Sequence, residues 1–499
     1  MPPYLPLLKK HSLDNVSSVY QLAKLLGFSP DGFLKLLYAH KNSQYYQFEI
    51  PKKNGGSRLI TAPLKNSNLK RLQTSLNLCL QEYIQNKNIP LLDHAFIQQR
   101  SILTNAKIHT SKRYVFNIDL KDFFHQINFG RVRGFFIKNS HFALNSNIAT
   151  VLAEIVTYNN FLPQGAPSSP IISNLIGSTM DFYLLELAKR NKCHYSRYAD
   201  DITFSTNLKH FPKDIAYSNK TNQHNWHPGK ELIKIINKAG FKINNKKIVM
   251  SYSCSSQNVT GLTVNKKANI PKSYYKKTRA MVDCLTKWNH YYINDRLDKT
   301  TPETKKYDHS QLSRLQGRLN YIYFIKTQID AELSLNSNNI VGNIAISDKA
   351  YVKLYRKFIF YKYIIANSKP LIITEGKTDI LHIKTAIKKI DNYPNLFSNG
   401  QLKLQFLKHD SQHSKILKIG DHKDTSGTAK IRNFLDNCYI YFKIFKKPLL
   451  NHPVIILLDN DKGILTLNGN KKGKRNYLNE IKNKNYSKIY KNLYVLPLR

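Results

Sequence analysis

Residues 193–205 read Cys-His-Tyr-Ser-Arg-Tyr-Ala-Asp-Asp-Ile-Thr-Phe-Ser, with Tyr198, Ala199, Asp200 and Asp201 at the centre. Two strand-like runs, Cys193 to Arg197 and Ile202 to Ser205, flank the acids, so the stretch predicts a hairpin with adjacent carboxylates at its tip. Such neighbours repel unless cations hold them together. A second strand supplies another acid. Tyr114, Phe116 and Ile118 alternate with Val115, Asn117 and Asp119. That period of two puts Asp119 at a strand end, on the face opposite an apolar row. Asp119 beside Asp200 and Asp201 makes a site for two Mg²⁺ ions, which would activate an attacking hydroxyl, clamp a phosphate and stabilise a leaving pyrophosphate. An Asp-Asp turn taken alone is ordinarily just solvated; the surrounding motifs reverse that reading.

Composition sets the partner class. The chain has 499 residues, with 77 Lys and Arg against 32 Asp and Glu, a net charge of +45. A polyanion, by default nucleic acid, is the expected partner; a Lys- and Asn-rich proteome bias is the bland alternative. Hydrophobic content of 41% and aromatic content of 11% support real cores, and the length suits about two to four domains. No run of about 18 apolar residues occurs, so no membrane span is expected. Leu5, Leu7 and Leu8 are interrupted by proline and do not read as a signal peptide. Cys79, Cys193, Cys254, Cys284 and Cys438 lie far apart, which fits a reducing cytoplasm rather than disulfides or zinc.

Along the chain, Val19, Leu22, Leu25 and Leu26 predict short helices up to about Leu37. Tyr46 to Pro63 reads as two strands around Asn54-Gly55-Gly56, and Leu69, Leu72, Leu76 and Leu80 as one helix face. Asp214 to Gly229 reads as a polar loop. Pro271 to about Ile329 reads as helical, with Asn294 to His309 bulging to solvent and a stripe from Leu312 through Leu315, Leu319, Ile322 and Ile325 to Ile329. A domain boundary is expected between Asn336 and Lys369.

The string Tyr198 to Asp201 resembles the reverse transcriptase signature, and four further stretches match that family in order. Lys52 to Arg58 is similar to the fingers motif, Asn117 to Phe124 to the first palm motif, Leu162 to Pro170 to the motif that positions nucleotide and template, and Gly240 to Lys247 to a later palm motif. The resemblance implies an α+β right-hand polymerase using deoxynucleoside triphosphates, with fingers and palm over 1–265 and an RNA-binding thumb over 266–335. It makes Asp119, Asp200 and Asp201 the catalytic metal ligands. Phe124 becomes the steric gate against a 2′-hydroxyl, Gln164 a contact near the nucleotide sugar, Arg58 the holder of the triphosphate, and Lys247 a proton donor to pyrophosphate.

Asn105-Ala-Lys-Ile-His109 and Val259-Thr260-Gly261 are similar to a pair of motifs found in retron reverse transcriptases. Group II intron and diversity-generating enzymes lack the pair. The resemblance implies a cognate structured noncoding RNA, priming from the 2′-hydroxyl of an internal guanosine, and single-stranded DNA joined to RNA by a 2′-5′ branch. Asn105, His109, Val259, Thr260, Gly261 and the basic residues Lys266, Lys267, Lys272, Lys276, Lys277 and Arg279 are the candidates for RNA recognition. Tyr274 and Tyr275 among them read as packing before base stacking. Oligomeric state is not legible.

Two later stretches carry the remaining acids. Pro370 to Asp379 reads as an apolar strand that ends in Glu375, turns at Gly376 and enters a helix; His452 to Asp461 is another strand, ending in Asp459 and Asp461. Continuous apolar strands predict a parallel sheet covered by helices, with its site at the carboxyl ends of the strands. Glu375, Asp459 and Asp461 form a second Mg²⁺ candidate, with Glu375 as acid/base or ligand. This arrangement resembles an α/β Toprim domain, over 369–499, behind a linker and connecting helix at 336–368. The resemblance implies a nuclease effector in antiphage defence, or, as the rival expectation, a Toprim-like domain that only binds nucleic acid. Asp424-Thr-Ser-Gly427 has one glycine where relatives carry a pair. The end at Arg499, just after the strand-like Leu493 to Leu496, leads to the expectation of a shortened C-terminal lobe.

Overall fold

The computed structural model describes residues 13–52, 55–219, 222–295, 303–308, 311–336, 349–389, 396–398, 401–408, 411–419, 427–446, 448–467 and 477–498. Contacts divide the chain into two compact units, Met1–Pro271 and Lys272–Arg499.

In the first unit, β1 (Tyr45–Pro51) and β2 (Ser57–Pro63) pair antiparallel from Tyr45 opposite Pro63 to Pro51 opposite Ser57. Gly55 and Gly56 at the turn take φ of 87° and 76°, a region costly for any residue with a Cβ. The helix Asn68–Asn86 buries Leu69, Leu72, Leu76 and Leu80, the face their spacing predicts. Strands β3 (Tyr114–Asp119), β4 (His194–Tyr198) and β5 (Asp201–Thr206) follow. Next come β6 (Ala216–Asn219), β7 (Asn222–Pro228), β8 (Val249–Tyr252), β9 (Asn258–Val259) and β10 (Leu262–Thr263). The central sheet has the order β4-β5-β3-β8, antiparallel throughout, and the helix Ser169–Arg190 packs on β4.

The polar loop expected over Asp214 to Gly229 is instead the β6–β7 hairpin. Buried Ile215 and Ala216 anchor it, and Trp226 Nε1 donates to Tyr252 Oη at 2.8 Å. These few anchors are spread among Asn, Ser and His, which hid the alternation.

The second unit opens with the helix Lys272–Trp288 and an antiparallel hairpin of β11 (His290–Asp295) and β12 (Glu303–Asp308). The helical expectation across this region therefore fails at the hairpin, where Tyr291 and Ile293 alternate inward with period two. The helix Ser313–Asn336 buries Leu315, Leu319, Ile322 and Ile325 as its stripe predicts. After the helix Ala350–Phe360 come β13 (Leu371–Ile373), β14 (Phe397–Ser398), β15 (Gln401–Leu402), β16 (Gln405–Phe406), β17 (Val454–Leu458), β18 (Ser487–Tyr490) and β19 (Leu493–Pro497). The five-stranded sheet runs β16-β13-β17-β19-β18, parallel except for β18. Leu285, Tyr291, Leu315, Tyr355 and Phe358 share one apolar core with Ile373, Val454 and Ile456. One core thus spans the segments read as thumb, connector and C-terminal sheet. Asp424 to Ser426 lie outside the described residues. No described helix is long and apolar enough to cross a membrane.

Candidate active site

β3 and β5 run antiparallel with Asp119 directly opposite Asp201, and Leu120 N–H donates to the Asp200 carbonyl at 2.9 Å. The register alone brings all three acids to one end of the sheet. Asp119 is 5% exposed. Lys247 Nζ lies 2.7 Å from its Oδ2, Asn244 Nδ2 donates to its Oδ1 at 3.2 Å, and Asn244 N–H donates to its carbonyl at 2.8 Å. Asn244 is a site residue that sequence reading left unremarked inside the Gly240–Lys247 string.

The carboxylates feel one another. Burial, then repulsion from Asp119, raises Asp200 above the usual carboxylate range, only partly offset by Lys247 and Arg58. Burial, then Asp200 and Asp119, pushes Asp201 up to about 7. Asp201 is itself exposed, so water screens part of that effect. Partial burial pulls Lys247 down, but the Asp119 contact and the charges of all three acids outweigh it. Repelling carboxylate oxygens are a donor set suited to Mg²⁺, and Asp119, Asp200 and Asp201 fit it. Among the described residues, no three His, Cys, Asp or Glu side chains close round one point as they stand.

The hairpin tip is held from behind by charges the sequence did not reveal. Arg197, Asp93 and Asp181 are fully buried. Arg197 forks onto Asp181, Nε to Oδ1 at 2.6 Å and Nη2 to Oδ2 at 2.7 Å, and Nη1 donates to the Ala199 carbonyl at 2.9 Å. Nη1 also approaches Asp93 Oδ2 to 2.6 Å, as an ion pair off the hydrogen-bond direction. Asp93 Oδ1 accepts from Ala199 N–H at 3.2 Å. Ala199 takes φ of 55°, so both polar groups of a left-handed residue are tied down immediately before Asp200. A Cβ on Gly177 would sit 2.6 Å from Arg197 Nη2; glycine there leaves room for the guanidinium. Burial pulls Arg197 down, but Asp181 and Asp93 push it higher still, so it stays charged.

The loop carrying Gln164 meets β2 and Phe124 through backbone contacts. Arg58 sits exposed on β2 and is near enough to oppose the shift of Asp200. Gly165 N–H donates to Thr61 O at 2.9 Å, and a Cβ there would meet Ala62 Cβ at 2.6 Å. The loop carrying Gln164 therefore lies flat on the strand carrying Arg58. Leu162 N–H donates to the Phe124 carbonyl at 3.3 Å, and the Phe124 ring packs edge-on against Phe123 at 5.5 Å.

The Asn105–His109 and Val259–Gly261 motifs meet each other. His109 is buried, with Nδ1 2.7 Å from Ser205 Oγ and Nε2 2.7 Å from Ser196 Oγ. Burial lowers its pKa to about 3, so it bridges β4 and β5 as neutral imidazole. Asn105 Nδ2 lies 3.5 Å from Thr260 Oγ1, which donates to Ile102 O at 3.1 Å. Thr260 and Gly261, with φ of 46° and 81°, turn β9 into β10. Asn105, His109 and Val259 are buried, with His109 against β4 and β5, so the RNA contact expected of them has no exposed side chain to work through. Gly261 is exposed. Lys272, Lys276, Lys277 and Arg279 are exposed on the first helix of the second unit. Tyr274 packs as expected, under Arg318 at 3.9 Å.

At the second acidic cluster, β13 and β17 lie side by side in parallel register. Asp459 N–H donates to Glu375 Oε2 at 3.3 Å, and Gly376 N–H donates to Asp379 Oδ2 at 2.7 Å at the start of the helix Lys377–Lys389. Asp459 is raised by desolvation, then by Asp379, Glu375 and Asp461. Asp379 thus joins the three acids singled out above. Asp459 and Asp461 are exposed.

Residues 50–266 match the family described as reverse transcriptase (RNA-dependent DNA polymerase). The chain is 31% identical to the retron Ec86 reverse transcriptase of Escherichia coli, across 55% of this chain and 80% of that protein. It is 30% identical to the retron Mx162 reverse transcriptase of Myxococcus xanthus, over 55% of this chain and 60% of that one. The retron Ec48 reverse transcriptase of Escherichia coli aligns at 22% identity over 75% of this chain and 92% of its own length.

Proposed function

Because this chain belongs to the retron reverse transcriptase family, we propose that it copies part of a cognate noncoding RNA, primed from a guanosine 2′-hydroxyl, and keeps the branched RNA–DNA product bound. The observation that carries this reading is the register that sets Asp119 opposite Asp201 beside Asp200. Mg²⁺ ions on these acids would activate the attacking hydroxyl and stabilise the leaving pyrophosphate. Arg58 holds the triphosphate, Gln164 and Phe124 fit the deoxyribose, and Lys247 releases Asp119 to protonate pyrophosphate. Asp200→Asn should abolish the branched DNA; unchanged product from that variant refutes the assignment.

The C-terminal sheet supports a further part of the proposal: residues 369–499 form a Toprim domain acting as a Mg²⁺-dependent nuclease effector in cytoplasmic antiphage defence. Glu375, Asp459 and Asp461 would hold the ion, and the RNA–DNA product would restrain the activity until phage interference releases it. Glu375→Ala should leave the DNA product intact but remove protection. The single glycine of Asp424-Thr-Ser-Gly427, where Toprim relatives carry a pair, favours a second reading, a domain that binds nucleic acid without cutting it. Mg²⁺-dependent cleavage that is lost in Asp459→Ala excludes the second reading.

A further inference from the structure

The chain has two tryptophans, at 226 and 288. Trp226 is partly buried and hydrogen-bonded to Tyr252. Trp288 is 53% exposed and Tyr292 44% exposed. Single exposed rings need no explanation, but a row of them on one face does.

Local structure builds the row. The helix Lys272–Trp288 ends at Asn289, which takes φ of 59°, a left-handed conformation that asparagine tolerates. The chain reverses into β11, and strand alternation sends Tyr291 and Ile293 into the core while His290 and Tyr292 share the other face. Tyr291 Oη donates to Gln311 O at 2.8 Å, fixing the buried side. Trp288 and His290 stack with centroids 6.5 Å apart at 29°, and His290 meets Tyr292 edge-on at 5.2 Å. His290 Nδ1 lies 2.8 Å from the Trp288 carbonyl and Nε2 3.1 Å from Tyr292 Oη. The imidazole is thus locked between the two larger rings, and the Lys287 ammonium sits 5.7 Å from the Trp288 ring.

We propose that Trp288, His290 and Tyr292 form a stacking platform for the unpaired bases of a single-stranded nucleic acid. Bases of any sequence stack on aromatic rings, and such platforms sit beside basic tracks that follow the backbone. The helix leading into the row carries Lys272, Lys276, Lys277, Arg279 and Lys287 against the single acid Asp283, so the approach is electropositive. The hairpin itself mixes both charge signs, which leaves stacking as the holding force at the row. The proposal deepens the retron reading, on which its biological meaning rests, by assigning a surface that holds the unpaired strand. Its test reads binding and not polymerisation, so the two stand or fall separately.

The full chain, stripped of bound nucleic acid by nuclease and high salt, is titrated with oligo-dT and oligo-U of about 12 nucleotides. In a Trp226→Phe background, the remaining Trp288 emission should be quenched on binding; quenching by one oligonucleotide and not the other names DNA or RNA as the occupant. Trp288→Ala with Tyr292→Ala should weaken single-strand binding about 10-fold or more while duplex affinity changes less than twofold. Trp288→Phe, which keeps a stacking ring and guards against a folding artefact, should retain most of the affinity. Unchanged affinity in the double variant overturns the proposal. Equal quenching by heparin also overturns it, because charge alone then explains the signal.

Discussion

Arg197→Lys offers a sharp test of how the β4–β5 hairpin that carries Asp200 and Asp201 is held. Lysine keeps the charge but replaces a planar fork with one ammonium, so it cannot reach both oxygens of Asp181, the Ala199 carbonyl and Asp93 together. Breaking a fully buried ion network costs about 3–5 kcal/mol; the retained charge sets the expectation near the lower figure, about 3 kcal/mol. At roughly 2–4 °C per kcal/mol for a domain of this size, Tm should fall by about 6–12 °C. Ala199 would lose the donor to its carbonyl, loosening the strained residue that presents Asp200. A displacement of about 1 Å at a reacting group costs on the order of 100-fold in rate. The expectation is therefore a kcat reduced about 10- to 100-fold, with KM for the nucleotide nearly unchanged, since Arg58 and Gln164, the proposed nucleotide contacts, are untouched. Calorimetry and primer extension on the purified chain measure both. Gly177→Ala should reproduce the phenotype without altering any charge, because its Cβ would meet Arg197 Nη2 at 2.6 Å. A Tm within 1 °C of wild type together with kcat within twofold would refute the reasoning.

Other variants separate repulsion, proton transfer and scaffolding. Asp201 is raised to about 7 in the folded chain, so the fold holds its proton more tightly than the unfolded chain does, and metal-free stability should fall as pH rises from about 4 through 7. A shift of that size on a buried group would be worth about 4 kcal/mol, but Asp201 is exposed and screening leaves about 1 kcal/mol. Asp201→Asn should thus melt higher than wild type at pH 8 in EDTA and equally at pH 4; a gain at pH 4 alone would contradict this. Lys247→Met should lower kcat on the order of 100-fold and also lower Tm in EDTA, because it leaves buried Asp119 facing Asp200 and Asp201 without the ammonium 2.7 Å away; melting curves and single-turnover kinetics check it. His109→Ala should cost about 2–3 kcal/mol by leaving Ser196 and Ser205 without their shared partner. Denaturant titration should show that loss, while RNA selectivity measured by competition stays the same.

The convergence of Asp119, Asp200 and Asp201 was legible because its cause is local. Period two places Asp119, a turn places Asp200 and Asp201, and pairing of β3 with β5 does the rest. The parallel pairing of β13 with β17 follows equally from two continuous apolar runs. Asp93, Asp181 and Arg197 were not legible. They are far apart in the chain, and each looks like a lone charge until the fold buries them together. The available signal was Arg197 alternating onto the same face as buried Tyr195 in β4. The β6–β7 and β11–β12 hairpins were missed for a related reason: strands of Asn, Lys, Thr and His show their alternation in only a few apolar anchors. The Asn105–His109 and Val259–Gly261 motifs were recognisable as strings, but only the structure reveals that they contact each other and that His109 bridges β4 and β5.

The central claim concerns what the chain makes and holds. Nucleic acid that copurifies with it should be extracted, treated with RNase and debranching enzyme in separate arms, resolved on a denaturing gel and sequenced. The account predicts single-stranded DNA of one sequence, joined to RNA through a 2′-5′ linkage that debranching enzyme removes, and absent from Asp200→Asn. Copurifying RNA with no attached DNA, or DNA that persists unchanged in Asp200→Asn, would contradict it.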